Sequence, residues 1–173
     1  MYVDKSFILE QLPPYRNEWV TVLPQQTVPD IMRSMFDAHR KFRSYYDRIG
    51  VYFEGSDLAD TCDNLYRFCK QNIYYREESV DWQSTAVPTG LLVRGFGDCK
   101  HYASFIAGCL SAIERAEGTP INWFYCFASY KWLQPTPYHV FVICVDDQGQ
   151  EIWIDPTPGA YGKTPVWVVE KKV

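Results

Sequence analysis

The chain has 173 residues and a formal net charge of −4, with 47% apolar and 17% aromatic side chains. That composition supports one well-buried domain and excludes a disordered chain, and the acidic balance argues against a surface that grips phosphate backbones. No apolar run approaches the ~20 residues that cross a bilayer. The N-terminus also lacks the basic start, apolar stretch and cleavage site of an export signal, so the expectation is a cytoplasmic protein with no membrane or nucleic-acid partner.

No repeat or low-complexity tract divides the chain, which predicts an irregular arm over 1–26 and a single domain over 27–173. Pro13, Pro14 and Pro24 break up the arm. From 29 to 48, Ile31, Met35, Phe36, Phe42 and Tyr45 recur at helical spacing, and Pro29 suits the first turn. His39 on this helix reads as structural, and the basic face around Arg40 and Arg43 as solvated. Ser56 is the expected N-cap of a second helix reaching to 72, with Leu58, Cys62, Leu65 and Phe68 inward.

A polar connection over 76–84 follows. A third helix begins after Gly95-Phe96-Gly97, carries Tyr102, Phe105, Ile106, Cys109, Leu110 and Ile113 on its apolar stripe, and stops at Gly118. Beyond it the period becomes alternating, which predicts strands over 121–129, 139–145, 150–155 and 166–169. Trp123, Phe124, Tyr125 and Phe127 read as core. Helices first and a strand meander second predict an α+β fold, with N-terminal helices packed on an antiparallel sheet.

Six cysteines suggest neither staples nor a metal site. Cys62 and Cys69 lie seven apart on one helix, which at ~1.5 Å per residue separates their Cα atoms by ~10 Å, beyond disulfide reach. No CxxC or HxxxH pair occurs, so no metal or cofactor is expected. Cys99 differs from the rest because it falls at the start of the third helix, in Gly97-Asp98-Cys99-Lys100-His101-Tyr102-Ala103. Unpaired N–H groups and the positive end of the helix dipole favour a thiolate there, and a first-turn N–H can face a developing oxyanion.

A base and its orienter come from the strands. If the turn Asp146-Asp147-Gln148-Gly149 centres on Asp147, His139 and Asp155 stand directly opposite each other on one face, with a one-residue register slip sufficient to misplace them. Asp155 can then hold one ring nitrogen of His139 and leave the other for Cys99. His101, two residues beyond Cys99, points away from it and reads as a surface or supporting residue. Lys100 and Arg94 read as solvated, either being able to stabilise a thiolate.

The blocks around Cys99, Tyr138-His139-Val140-Phe141-Val142 and Ile152-Trp153-Ile154-Asp155-Pro156-Thr157 resemble, in order and spacing, the core motifs of the transglutaminase-like superfamily over residues 58–158. The resemblance implies a papain-like fold, with the nucleophile's helix packed on the sheet that bears His and Asp. It also implies a Tyr and then a polar oxyanion-binding side chain ahead of the nucleophile. Tyr75 and Gln83 stand at those positions, with Trp82 competing for the second. Gln83 is preferred because an amide N–H₂ donates without distortion.

The resulting expectation is a cysteine enzyme that attacks an amide or peptide carbonyl of a protein or peptide substrate. Hydrolysis is favoured over crosslinking, since small stand-alone members without calcium sites are more often hydrolases and no EF-hand-like loop is present. Its substrate subsites would come from 76–93, 130–137 and 156–165. The competing expectation is a binding or structural module that keeps the fold without the chemistry.

Overall fold

The structure, a computed structural model, describes residues 3–16, 19–22, 27–79, 83–133, 136–159 and 165–171. Asp4 caps a first helix, α1 (Lys5–Gln11), accepting the Ser6 and Phe7 N–H groups at 2.9 and 3.0 Å. Strand β1 (Trp19–Val22) follows. Among the described residues of the first 26, a helix and a strand thus stand where an irregular arm is expected. A seven-residue helix with Ile8 as its one buried side chain leaves too little periodicity to read, and β1 exists through a partner distant in sequence.

Helix α2 (Val28–Lys41) opens with a capping box between Thr27 and Asp30. It stops at Phe42, where φ −98° and ψ 15° leave the helical region, and α3 (Arg43–Ile49) runs on into a 3₁₀ turn, Gly50–Phe53. The single helix expected over 29–48 is thus broken. Phe42, Tyr46 and Ile49, spaced i, i+4 and i+7, are all buried, so the apolar stripe continues across the break. Helix α4 (Leu58–Asn72) is capped by Asp57 and not Ser56, its carboxylate accepting the Asp60 N–H at 2.8 Å.

Next come β2 (Tyr74–Tyr75), β3 (Gln83–Ala86), a short α5 (Pro88–Arg94) and β4 (Phe96–Gly97). Helix α6 (Cys99–Glu117) then leads into the meander β5 (Trp123–Ser129), β6 (His139–Val145), β7 (Glu151–Ile154) and β8 (Trp167–Lys171). The architecture is α+β. The four-stranded antiparallel sheet has the order β7-β6-β5-β8, while β1 pairs antiparallel with β3 and β2 pairs parallel with β4.

Helix α6 is apolar nearly all round and occupies the centre, against the sheet face that carries Trp123, Tyr125, Phe127, Val140 and Val142. Phe53, Phe68 and Phe105 fill the space between it and α4, the last two stacked at 5.5 Å. Gly108 permits the approach of α3, since a Cβ there would lie 2.4 Å from the Tyr46 ring. His39 is buried between Trp123 and Tyr125, its Nδ1 3.2 Å from the Tyr125 hydroxyl, and burial with nearby Arg115 and Arg40 lowers its pKa to about 4. It is a structural residue, as its helix position suggested. Among the described residues no helix is long and apolar enough to cross a membrane.

The β6–β7 hairpin turns on Gly149 at φ +77°, with Asp146 Oδ1 accepting the Gln148 and Gln150 N–H groups. Its register pairs Val142 with Ile154 and Val145 with Glu151. The hairpin is therefore centred on Gln148, one residue beyond the expected centre.

Candidate active site

Cys99 is the first residue of α6 and is partly exposed, whereas the other five cysteines are buried. Burial pushes the Cys69 and Cys109 thiols up, which makes them poor nucleophiles. Asp98 caps the helix, accepting the His101 N–H in a capping box. Of the four N–H groups at the start of α6, those of Asp98 and His101 are taken up by the capping box, which leaves those of Cys99 and Lys100 without an acceptor in the helix.

His139 opens β6, where it pairs with Ala128, and shares one cavity wall with Cys99. Its Nε2 lies 2.7 Å from Asp155 Oδ2, and the neighbouring Cys99 favours the protonated ring. The ring stacks on Phe141 at 5.8 Å, which limits its rotation, and the Asp155 carboxylate is fixed in turn by the Thr157 N–H at 3.1 Å. Burial opposes protonation of His139. The bonds to Asp155 and Cys99 outweigh it and raise the pKa from 6.5 to about 9.

Asp155 and His139 do not stand directly opposite each other. The observed register, continued one step, sets Asp155 across from Phe141. Moving the hairpin centre by one residue shifts every pairing by two, an even number, so both side chains keep the same face and meet on the diagonal.

The Cys99–His139 pair opens onto a cavity of about 270 Å³ walled by Tyr75, Gln83, Phe127 and Tyr138. A second cavity of about 300 Å³ shares His139 and Tyr138 with the first and is walled by Tyr130 and Thr157. Tyr75 stacks on Tyr102, and burial first, then the nearby Cys99 and Glu77, push its phenol up, so it stays a neutral donor. Gln83 lines the cavity but its Nε2 donates to the Ser79 and Glu78 carbonyls at 2.8 and 3.4 Å. Trp82, the competing choice, lies outside the described residues.

Three residues flanking the cysteine depart from expectation. Lys100, His101 and Arg94 are neither solvated nor on the surface. Lys100 is 3% exposed, its ammonium bonded to Asp98 and 2.9 Å from Glu78, while His101 Nδ1 is 2.8 Å from Asp98 Oδ1 and its Nε2 3.1 Å from Arg94 Nη2. The Phe96 ring carries the Arg94 and Arg76 guanidiniums, 4.5 and 3.3 Å from its centroid. Burial raises the cost of ionising Asp98 and Glu78, yet His101 and Lys100 outweigh it and hold both carboxyls below their usual range.

One part of this network was detectable locally: Asp98 and His101 have the N-cap to N3 spacing. The partner Glu78, twenty-odd residues away, has no such signal. Ligand atoms of Glu78, Asp98 and His101 lie within 4.8 Å of one another, a spacing that would suit a cation. The cation there is the Lys100 ammonium, held by both carboxylates.

No family model matches the chain and no curated protein matches it. Among solved structures, a putative cysteine protease from Cytophaga hutchinsonii aligns with a TM-score of 0.44 and 16% identity, over 87% of this chain and 54% of that one. This chain thus spans about half the length of that protein, and the likeness is too loose to carry a functional argument.

Proposed function

We propose that the protein is a cysteine acyl-transfer enzyme of the transglutaminase-like, papain-fold type, with Cys99 as nucleophile, His139 as base and acid, and Asp155 as orienter. The observation that carries the reading is the His139 ring, bonded to Asp155 through Nε2 at 2.7 Å and lining one open cavity with Cys99. With its pKa raised to about 9, His139 is an imidazolium at neutral pH and stabilises a thiolate beside it.

In the first half-reaction the thiolate adds to the carbonyl carbon of an amide, forming a C–S bond and an oxyanion. The first turn of α6 offers backbone donors for it, and the Gln83 amide, now donating to the Ser79 and Glu78 carbonyls, would exchange one of those bonds to add a side-chain donor. The imidazolium gives its proton to the leaving nitrogen, the C–N bond breaks, and a thioester remains. Water then adds to the thioester while His139 takes its proton, and the C–S bond breaks to release the acid. A protein or peptide is the substrate class this favours, with hydrolysis ahead of transfer to an amine.

The test is acylation by p-nitrophenyl acetate. The wild type is expected to give a burst of p-nitrophenolate with one acetyl group on Cys99, found by peptide mapping. Cys99→Ala should lose the burst and keep the fold. A burst that survives this substitution would overturn the assignment.

A further inference from the structure

Glu78 and Lys100 do not reach the reacting sulfur, but they join the elements on either side of it. The Glu78 carboxylate accepts the Ser84 N–H at 2.6 Å and the Ser84 hydroxyl at 2.5 Å, which fixes the start of β3. The same carboxylate receives the Lys100 ammonium at 2.9 Å from α6, and Arg94 approaches it at 3.7 Å from the end of α5. The backbone carbonyl of Glu78, with that of Ser79, holds the Gln83 amide. Lys100 in turn bonds Asp98, so its contacts and those of Asp98 bracket Cys99 in sequence.

These charges are expensive to bury. A well-packed apolar cluster would stabilise a domain of this size as well or better, so such a pair contributes little by way of stability but does fix geometry, because moving β3 away from α6 would strand two ions out of water. Glu78, Gln83, Asp98, Cys99 and Lys100 all line the one cavity. The constraint therefore falls on the junction where an oxyanion would form.

We propose that the Glu78–Lys100 ion pair is a positioning device for acyl transfer, docking β3 and Gln83 against the helix N-terminus that carries Cys99. This rests on the reading of Cys99 as an acyl-transfer nucleophile. Both act by positioning, through Gln83 and the first turn of α6.

Two probes of one sulfur separate positioning from general support. Iodoacetamide alkylates by displacement at saturated carbon and forms no oxyanion; p-nitrophenyl acetate acylates through one. Glu78→Gln, which leaves Lys100 paired with Asp98, should slow acylation ~10-fold or more, against the hundredfold or greater loss typical of deleting an oxyanion donor, while alkylation of Cys99 stays within ~2-fold. Lys100→Met should show the same selective loss. Gln83→Ala should also be selective, and adding it to Glu78→Gln should cost little more than either alone, because both act through one group.

The proposal is overturned if folded variants lose acylation and alkylation together, lose neither, or show losses that multiply. It is equally overturned if both Glu78→Gln and Lys100→Met fail to fold, since the pair would then be a folding element. A wild type that alkylates at Cys99 but gives no acyl burst defeats the acyl-transfer reading itself and removes the role of the pair with it. That outcome is distinguishable because it precedes any substitution.

Discussion

Cys99 and His139 approach each other from a helix end and a strand end, and neither would be reactive in the position of its chain neighbours. At the N-terminus of α6 the sulfur sits at the positive end of the helix; at the start of β6 the ring is held by Phe141 and Asp155. Asp155→Asn removes the charge that favours the imidazolium. The His139 titration, followed by ring-proton NMR, should move down from about 9, and the acyl burst at neutral pH should slow roughly a hundredfold or more. An unmoved titration would mean that Asp155 does not orient the ring.

At this scale the meeting of His139 with Asp155 was legible because their chemistry narrows the choice of position. The burial of Lys100 and His101 and the partial burial of Arg94 were not. A charged side chain is read as solvated unless its counter-ion is known, and Glu78 reaches the site only through the fold. The bonding of the Gln83 amide to its own loop is likewise set by loop geometry that sequence does not encode.

Elements with strong periodicity were read from sequence to within a residue or two. The strand carrying His139 has the expected bounds, and α6 begins and ends where its flanking Asp98 and Gly118 indicate. Failures cluster where an element is short or depends on a remote partner: β1 needs β3, α5 is only seven residues long, and the break at Phe42 leaves the apolar spacing unchanged. The hairpin shows why parity matters more than register alone, since a two-position shift of pairing kept His139 and Asp155 on one face. The α3–α6 contact offers an independent check. Gly108→Ala forces a methyl into the Tyr46 ring, and urea unfolding should report a loss of about 1–3 kcal/mol.

For the whole molecule, the N-terminal residues are part of the domain and not an appendage. Ile8 is fully buried and Leu12 nearly so, the Tyr15 ring lies against Gly90, and β1 completes the edge of the strand that begins with Gln83. Removing residues 1–26 should lower stability by several kcal/mol, given roughly 1.5–3 kcal/mol for each large apolar side chain withdrawn, and should impair acylation. An unchanged thermal midpoint would return these residues to the status of a loose arm.

The α+β organisation brings a helix terminus and a strand end to one cavity, and the proposed consequence is the activation of one cysteine of six. Site-resolved iodoacetamide labelling of the folded protein at pH 6.5, read by peptide mass spectrometry, tests it most directly. Cys99 should be modified well ahead of the five buried thiols, and His139→Ala should slow it ~10-fold or more by removing the imidazolium beside the sulfur. Labelling spread evenly over the cysteines, or a Cys99 rate indifferent to His139, would contradict the account.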